Sequence, residues 1–126
     1  MALPSTLTIN LATPSAHDVV MGSLQTSGNS ATYVAPSPQG DLIGQPRMKV
    51  SHETSSKGVV RSLFQFQLPY FNTTTNKYEG TYTANLTLTR PDSLPVVGAQ
   101  QALEFIADGI ANNSYAIRDI IAGGRL

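Results

Sequence analysis

The chain has 126 residues, no cysteine, no tryptophan, and eight basic against eight acidic side chains. That length carries one domain with a modest core, and no apolar run is long enough to span a membrane. The lack of cysteine excludes disulfides and thiolate chemistry, and leaves His and carboxylates as the only zinc ligands.

The first third reads as short strands divided by turn chemistry. Leu7 to Leu11 is one candidate strand, closed by Thr13-Pro14-Ser15, and His17 to Leu24 is a second, so residues 1–24 form a hairpin. Ser27-Gly28-Asn29 reads as a turn and Ala31 to Val34 as a third strand. Ala35 to Gln45 holds Pro36, Pro38, Gly40 and Gly44 and is a loop by composition.

Three long alternating stretches follow and complete a sheet over 31–90. In Arg47–Glu53, Val59–Leu68 and Thr81–Thr89 the even positions include Met48, Val50, Val60, Phe64, Phe66, Leu68, Tyr82, Leu86 and Leu88. The odd positions include Arg47, Lys49, Ser51, Glu53, Arg61, Gln65, Gln67, Thr81, Thr83, Asn85 and Thr87. Side chains alternate across a strand, so each stretch has one apolar and one polar face, the signature of an antiparallel sheet. Ser55 to Gly58 makes a tight connection, and Phe71 to Lys77 a longer polar loop. Pro69 is expected to end or kink the middle strand, because it cannot donate to a ladder.

The period changes after Pro91, and residues 95–122 read as two helices. Ala99, Ala102, Leu103, Ile106 and Ile110 form one stripe, opposite Gln100, Gln101, Glu104 and Asp108. Asn112-Asn113-Ser114 breaks this helix and supplies an N-cap for a second, which carries Ile117, Ile120 and Ile121 and stops at Gly123-Gly124. The fold class is therefore α+β: an N-terminal hairpin and an antiparallel sheet followed by two helices. The helices are expected to lie on the apolar face of the sheet. They are too small to cover it, so a dimer is expected to bury what remains.

Zero net charge hides an uneven distribution. Residues 1–46 carry Asp18 and Asp41 and no cation, whereas residues 47–77 carry Arg47, Lys49, Lys57, Arg61 and Lys77 against Glu53 alone. Cations interleaved with amide and hydroxyl side chains on one sheet face suit a phosphate backbone and exposed bases. The same face lacks an aromatic stacking platform and contains Glu53; a Thr-rich, solvated strand face fits its parity slightly better.

Catalytic chemistry has little support. His17 and His52 are the only imidazoles, neither has a nucleophile elbow or metal-ligand spacing, and there is no Walker loop or GxGxxG. His52 lies on the apolar parity and reads as a hydrogen-bonded core histidine. No enzyme activity, cofactor, metal or small-molecule substrate is expected. Met1 to Thr6 lacks the basic start of a secretion signal, so the sequons at Asn72, Asn85 and Asn112 are read as chance.

The order of elements resembles the coat proteins of single-stranded RNA bacteriophages over essentially the whole chain. The stretches that carry the resemblance are Arg47 to Glu53 with Arg61 to Pro69, Tyr82 to Leu88 running into the helices, and Ile117-Arg118-Asp119-Ile120-Ile121. The resemblance implies a homodimer with sheets paired edge to edge and the helices of each copy over its partner, an interface expected to use Leu103, Ile106, Ile110, Ile117, Ile120 and Ile121. It further implies an icosahedral shell, assembled in the bacterial host cytoplasm, whose inner polar face meets genomic RNA. In several members that face binds an RNA hairpin and represses translation. By strand position the RNA-facing residues would be Lys49, Ser51, Glu53, Arg61, Leu63, Gln65, Thr81, Thr83 and Asn85, with Arg47 beside them. Phe71, Asn72, Thr73, Thr74, Thr75 and Asn76 match the segment that meets at the shell symmetry axes and changes conformation there. Leu63 and Gln65 stand where some members have cations, and the loop is short for the family. A stand-alone dimeric RNA-binding module is the alternative, and an adhesion or pilin-like domain a third reading, disfavoured because no signal sequence is found.

Overall fold

In the computed structural model, the described residues are 4–12, 14–37, 40, 43–112 and 115–124. They form six strands and two helices: β1 Thr6–Leu11, β2 His17–Ser27, β3 Ser30–Val34, β4 Arg47–Thr54, β5 Val59–Asn72, β6 Lys77–Pro91, α1 Val96–Ala111 and α2 Ala116–Gly123. The N-terminal hairpin belongs to the same sheet as the rest, an antiparallel meander in sequence order from β1 to β6. Gly28, at φ 46°, turns β2 into β3 through a two-residue connection that needs the left-handed region. Of the expected connections, Thr13, Pro38, Asn113 and Ser114 lie outside the described residues.

The register confirms the alternation read from the long strands. Met48 opposes Phe66, Val50 opposes Phe64, and Phe64 opposes Leu86, so the even positions share one face. That face continues into β3 and β2 through Tyr33, Ala31 and Met21. At this N-terminal end the sheet curls and closes a core of Met21, Ala31, Tyr33, Ala35 and Met48, with Leu7, Ile9, Val19 and Phe66 packed against it. Burying a side chain the size of Met21 or Met48 contributes about 1.5–3 kcal/mol. The Tyr33 hydroxyl donates to the Pro4 carbonyl at 2.7 Å, so the buried ring keeps its polar end bonded.

Pro69 neither ends nor breaks the middle strand, which runs on to Asn72 with a bulge after Tyr70. Backbone direction explains this. The Ser55 N–H bonds to Val59 O and the Asp92 N–H to Gly58 O, so odd residues of β5 bond to β4 and even ones to β6. The nitrogen of Pro69 therefore points toward β4, whose pairing has already stopped at Arg47 opposite Gln67. Its missing N–H falls on an open side.

The loop expected over 71–77 is also shorter. Phe71 and Asn72 still belong to β5, and the turn is Thr73–Asn76. The Asn72 carboxamide oxygen accepts from the Thr74 and Thr75 N–H groups, and its nitrogen donates to Glu79. Asn76 takes the left-handed conformation (φ 59°), which Asn tolerates better than most side chains. Phe71 and Tyr78 meet edge to face at 5.1 Å and close the base of the turn.

The helices are where the structure departs most from expectation. They pack on each other, not on the chain's own sheet, and neither contains a buried residue. Asn112 caps the end of α1, its N–H bonding to Asp108 O, but α2 starts at Tyr115 in a left-handed conformation with no side-chain cap. Gly124, also left-handed, ends α2 where the two glycines predict.

Candidate nucleic-acid interface

All ten side chains singled out for RNA contact, from Arg47 to Asn85, fall on the polar face of β4, β5 and β6. The register arranges them in rows across the strands. Arg47, Gln67 and Thr83 form one row; Lys49, Gln65 and Asn85 the next; then Ser51, Leu63 and Thr87; then Glu53, Arg61 and Thr89. Thr81 lies opposite Pro69 at the end nearest the turn. β3 extends the face, setting Thr32 beside Lys49 and Val34 beside Arg47. Thr32 was not singled out from the sequence, because a five-residue strand has too little alternation to assign its faces.

Charge on this face is unevenly compensated. The Arg61 guanidinium donates to the Glu53 carboxylate at 3.2 Å, with both side chains more than half exposed (61% and 69%). A solvent-exposed pair of this kind contributes about 0.2–1 kcal/mol and opens readily. Among the described residues, Arg47 and Lys49 have no carboxylate partner. They are the face's free cations, both on β4.

The row of short side chains is a groove. Ser51, Leu63 and Thr87 lie between the longer Glu53–Arg61 and Lys49–Gln65–Asn85 rows, and the depression lined by Ser51, His52, Glu53, Arg61, Leu63 and Thr87 has a volume of about 310 Å³. A larger and more open hollow follows α1 beside Gln101, Phe105 and Asp108 and belongs to the uncovered helix surface.

His52 is exposed on the apolar face, where its Nδ1 meets Ser62 Oγ at 2.7 Å; it is hydrogen-bonded as expected but is not in the core. Among the described residues no carboxylate orients this imidazole, so the pair lacks the third member of a catalytic triad. His17 Nδ1 bonds to the Ser15 carbonyl. No group of three metal-ligating side chains occurs among the described residues.

The opposite face and the β6 edge are unfinished. Phe64, Leu68, Tyr70 and Tyr82 are exposed on the apolar face, Tyr82 at 64%. On the helices Leu103, Ile106, Ile110, Ile117, Ile120 and Ile121 are between 38% and 67% exposed. Because even residues of β6 bond to β5, Thr81, Thr83, Asn85, Thr87 and Thr89 turn their N–H and C=O groups to an edge with no neighbouring strand among the described residues.

No family model and no curated protein matches the chain in sequence. Solved structures match it over nearly its whole length. The virus-like particle of Beihai levi-like virus 21 superposes with a TM-score of 0.80 at 11% identity, covering 99% of this chain and 98% of that one. The chain has the bacteriophage coat-protein fold. The virus-like particle of bacteriophage NT-214 gives 0.77 at 11% identity with 95% of each chain covered. A coat-protein structure described as an unassembled, RNA-binding bacteriophage dimer gives 0.64 at 12% identity, covering 96% and 94%. The match runs from the first strand through both helices.

Proposed function

We propose that this chain is the coat subunit of a small single-stranded RNA bacteriophage. The observation that carries the proposal is the pair of amphipathic helices with no buried residue beside an apolar sheet face left open. A second copy has both missing surfaces. Two β6 edges pair antiparallel through Thr81 to Thr89, and each copy's helices cross the partner's Phe64 and Leu68. Capsids and virus-like particles of the same fold support this arrangement.

Pairing the edges joins the two polar faces into one surface, and the shell holds it inward against RNA, with the helices outside. Arg47 and Lys49 of each copy contact phosphate. Many copies acting together need only modest charge each, which suits a chain of zero net charge. The Thr73–Asn76 turn, flanked by Phe71 and Asn72, projects to the shell axes. Specific binding of a hairpin, with repression of translation, is a further use of the same surface. The protein resides in the virion after assembly in the bacterial cytoplasm.

The test is electron microscopy of the chain expressed alone in bacteria, with absorbance at 260 nm to detect RNA. Uniform RNA-filled shells are expected; dimers only, across salt and concentration, would replace the coat subunit by a stand-alone binding module. Replacing Arg47 and Lys49 together with Ala should lower RNA content and flatten its salt dependence while leaving shells intact. Unchanged RNA content would remove the polar face from RNA contact.

A further inference from the structure

Glu53 is out of place on a surface meant for a polyanion, since a carboxylate there weakens every phosphate contact nearby. We propose that it reads a base: the groove over Leu63 takes one unstacked guanine of single-stranded RNA, held by the Glu53–Arg61 pair. This rests on the RNA-facing reading of the polar face.

The groove has the dimensions and chemistry for a base. The rows flanking Ser51, Leu63 and Thr87 lie two positions away on either side, about 13 Å apart at the strand rise, and the depression of about 310 Å³ exceeds a nucleobase. Leu63 offers an apolar floor to the ring face, with the small Ser51 and Thr87 on either side. Lys49, one row beyond Ser51 on the same face, is placed to meet the phosphate of the same nucleotide.

The wall made by Arg61 and Glu53 presents, in order, a guanidinium donor and the two carboxylate oxygens. Arg61 occupies one lone pair of Glu53 Oε1, the only side-chain hydrogen bond that carboxylate makes among the described residues, so acceptor sites remain on both oxygens. The Watson–Crick edge of guanine presents the complement in the same order: the O6 acceptor, the N1–H donor and the exocyclic amine donor. Uracil and cytosine each set a carbonyl or ring-nitrogen lone pair against a carboxylate oxygen. Adenine offers one donor beside an unprotonated N1. Guanine alone satisfies all three positions, and the mismatches are repulsive, which is how a site rejects the wrong ligand. Glu53 and Arg61 are directly cross-strand, and both line the groove.

The test uses the full-length chain and five-nucleotide RNAs, UUGUU, UUAUU, UUCUU and the inosine analogue UUIUU, followed by fluorescence anisotropy. The guanine oligonucleotide should bind at least about tenfold more tightly than the adenine or cytosine ones, the scale of a bidentate base contact. Inosine, which lacks the exocyclic amine, should fall between. Glu53→Gln removes one acceptor and the negative charge, so it should erase the preference for guanine over adenine and raise the affinity for UUAUU. Equal binding of all four RNAs by the wild-type chain would overturn the guanine site and leave general RNA contact standing. A guanine preference that survives Glu53→Gln would overturn the role of Glu53. Failure of every oligonucleotide to bind would overturn the guanine site and RNA contact together.

Discussion

Around Met21 and Tyr33 the apolar face of the sheet closes on itself, whereas around Phe64 and Tyr82 the same face, built from similar residues, stays in solvent. The difference is not one of hydrophobicity. β1 and β2 reach the first region because the chain turns them back beside β3, and the sheet's curl then packs Leu7, Ile9 and Val19 against the core around Met21 and Tyr33. Among the described residues the second region has only α1 and α2 to cover it, and they leave β6 by Asp92 to Pro95 and turn away from their own sheet. One half of the chain closes its own core, and the other half leaves its apolar surface open.

Substitutions that act on one half alone can break that comparison. Ile106→Asp places a charge in the surface proposed to be buried, once in each copy. An unpaired charge there costs about 3–5 kcal/mol per site, so size-exclusion chromatography with light scattering should find no dimer. A stable dimer would mean that α1 faces solvent in the assembly. Thr83→Pro is a subtler cut. The Thr83 N–H points to the open edge, so the chain's own ladder should survive and far-UV circular dichroism should stay strand-like. The paired edge would lose one donor from each copy, leaving acceptors unsatisfied at about 1–3 kcal/mol apiece, and the dimer should weaken by one to several orders of magnitude. Dimerisation at wild-type strength would show that β6 is not the seam.

Tyr33→Phe sharpens the comparison from the other side. It removes the bond to Pro4 O at a cost of about 1 kcal/mol. Thermal unfolding should shift down by a few degrees while the dimer dissociation constant stays put; a shift in both would couple the two halves.

Much of this was legible in the sequence because the alternation in the long strands is strong. Phe64, Phe66, Leu86 and Leu88 could only share a face, and that placed Lys49, Arg61 and Asn85 together on the other. The helices were legible from Ile106, Ile110, Ile117 and Ile120. Parity does not say which odd residue opposes which, so the Glu53–Arg61 pair and the groove beside it needed the register. The passage of β5 through Pro69 depends on where a neighbouring strand stops, which no local pattern records. The same is true of the helices. Their stripe announces that they must be covered, but an amphipathic pattern reads alike whether the covering sheet is the chain's own or a partner's.

The most direct test is residue-resolved amide hydrogen exchange on β6 in the soluble, unassembled protein. If a second copy completes the fold, the amides of Thr83, Asn85 and Thr87, which point away from β5, should exchange as slowly as those of Ala84, Leu86 and Leu88, which point toward it. Fast exchange at every odd residue beside slow exchange at every even one would describe a bare edge, and would contradict an account in which two copies share one sheet.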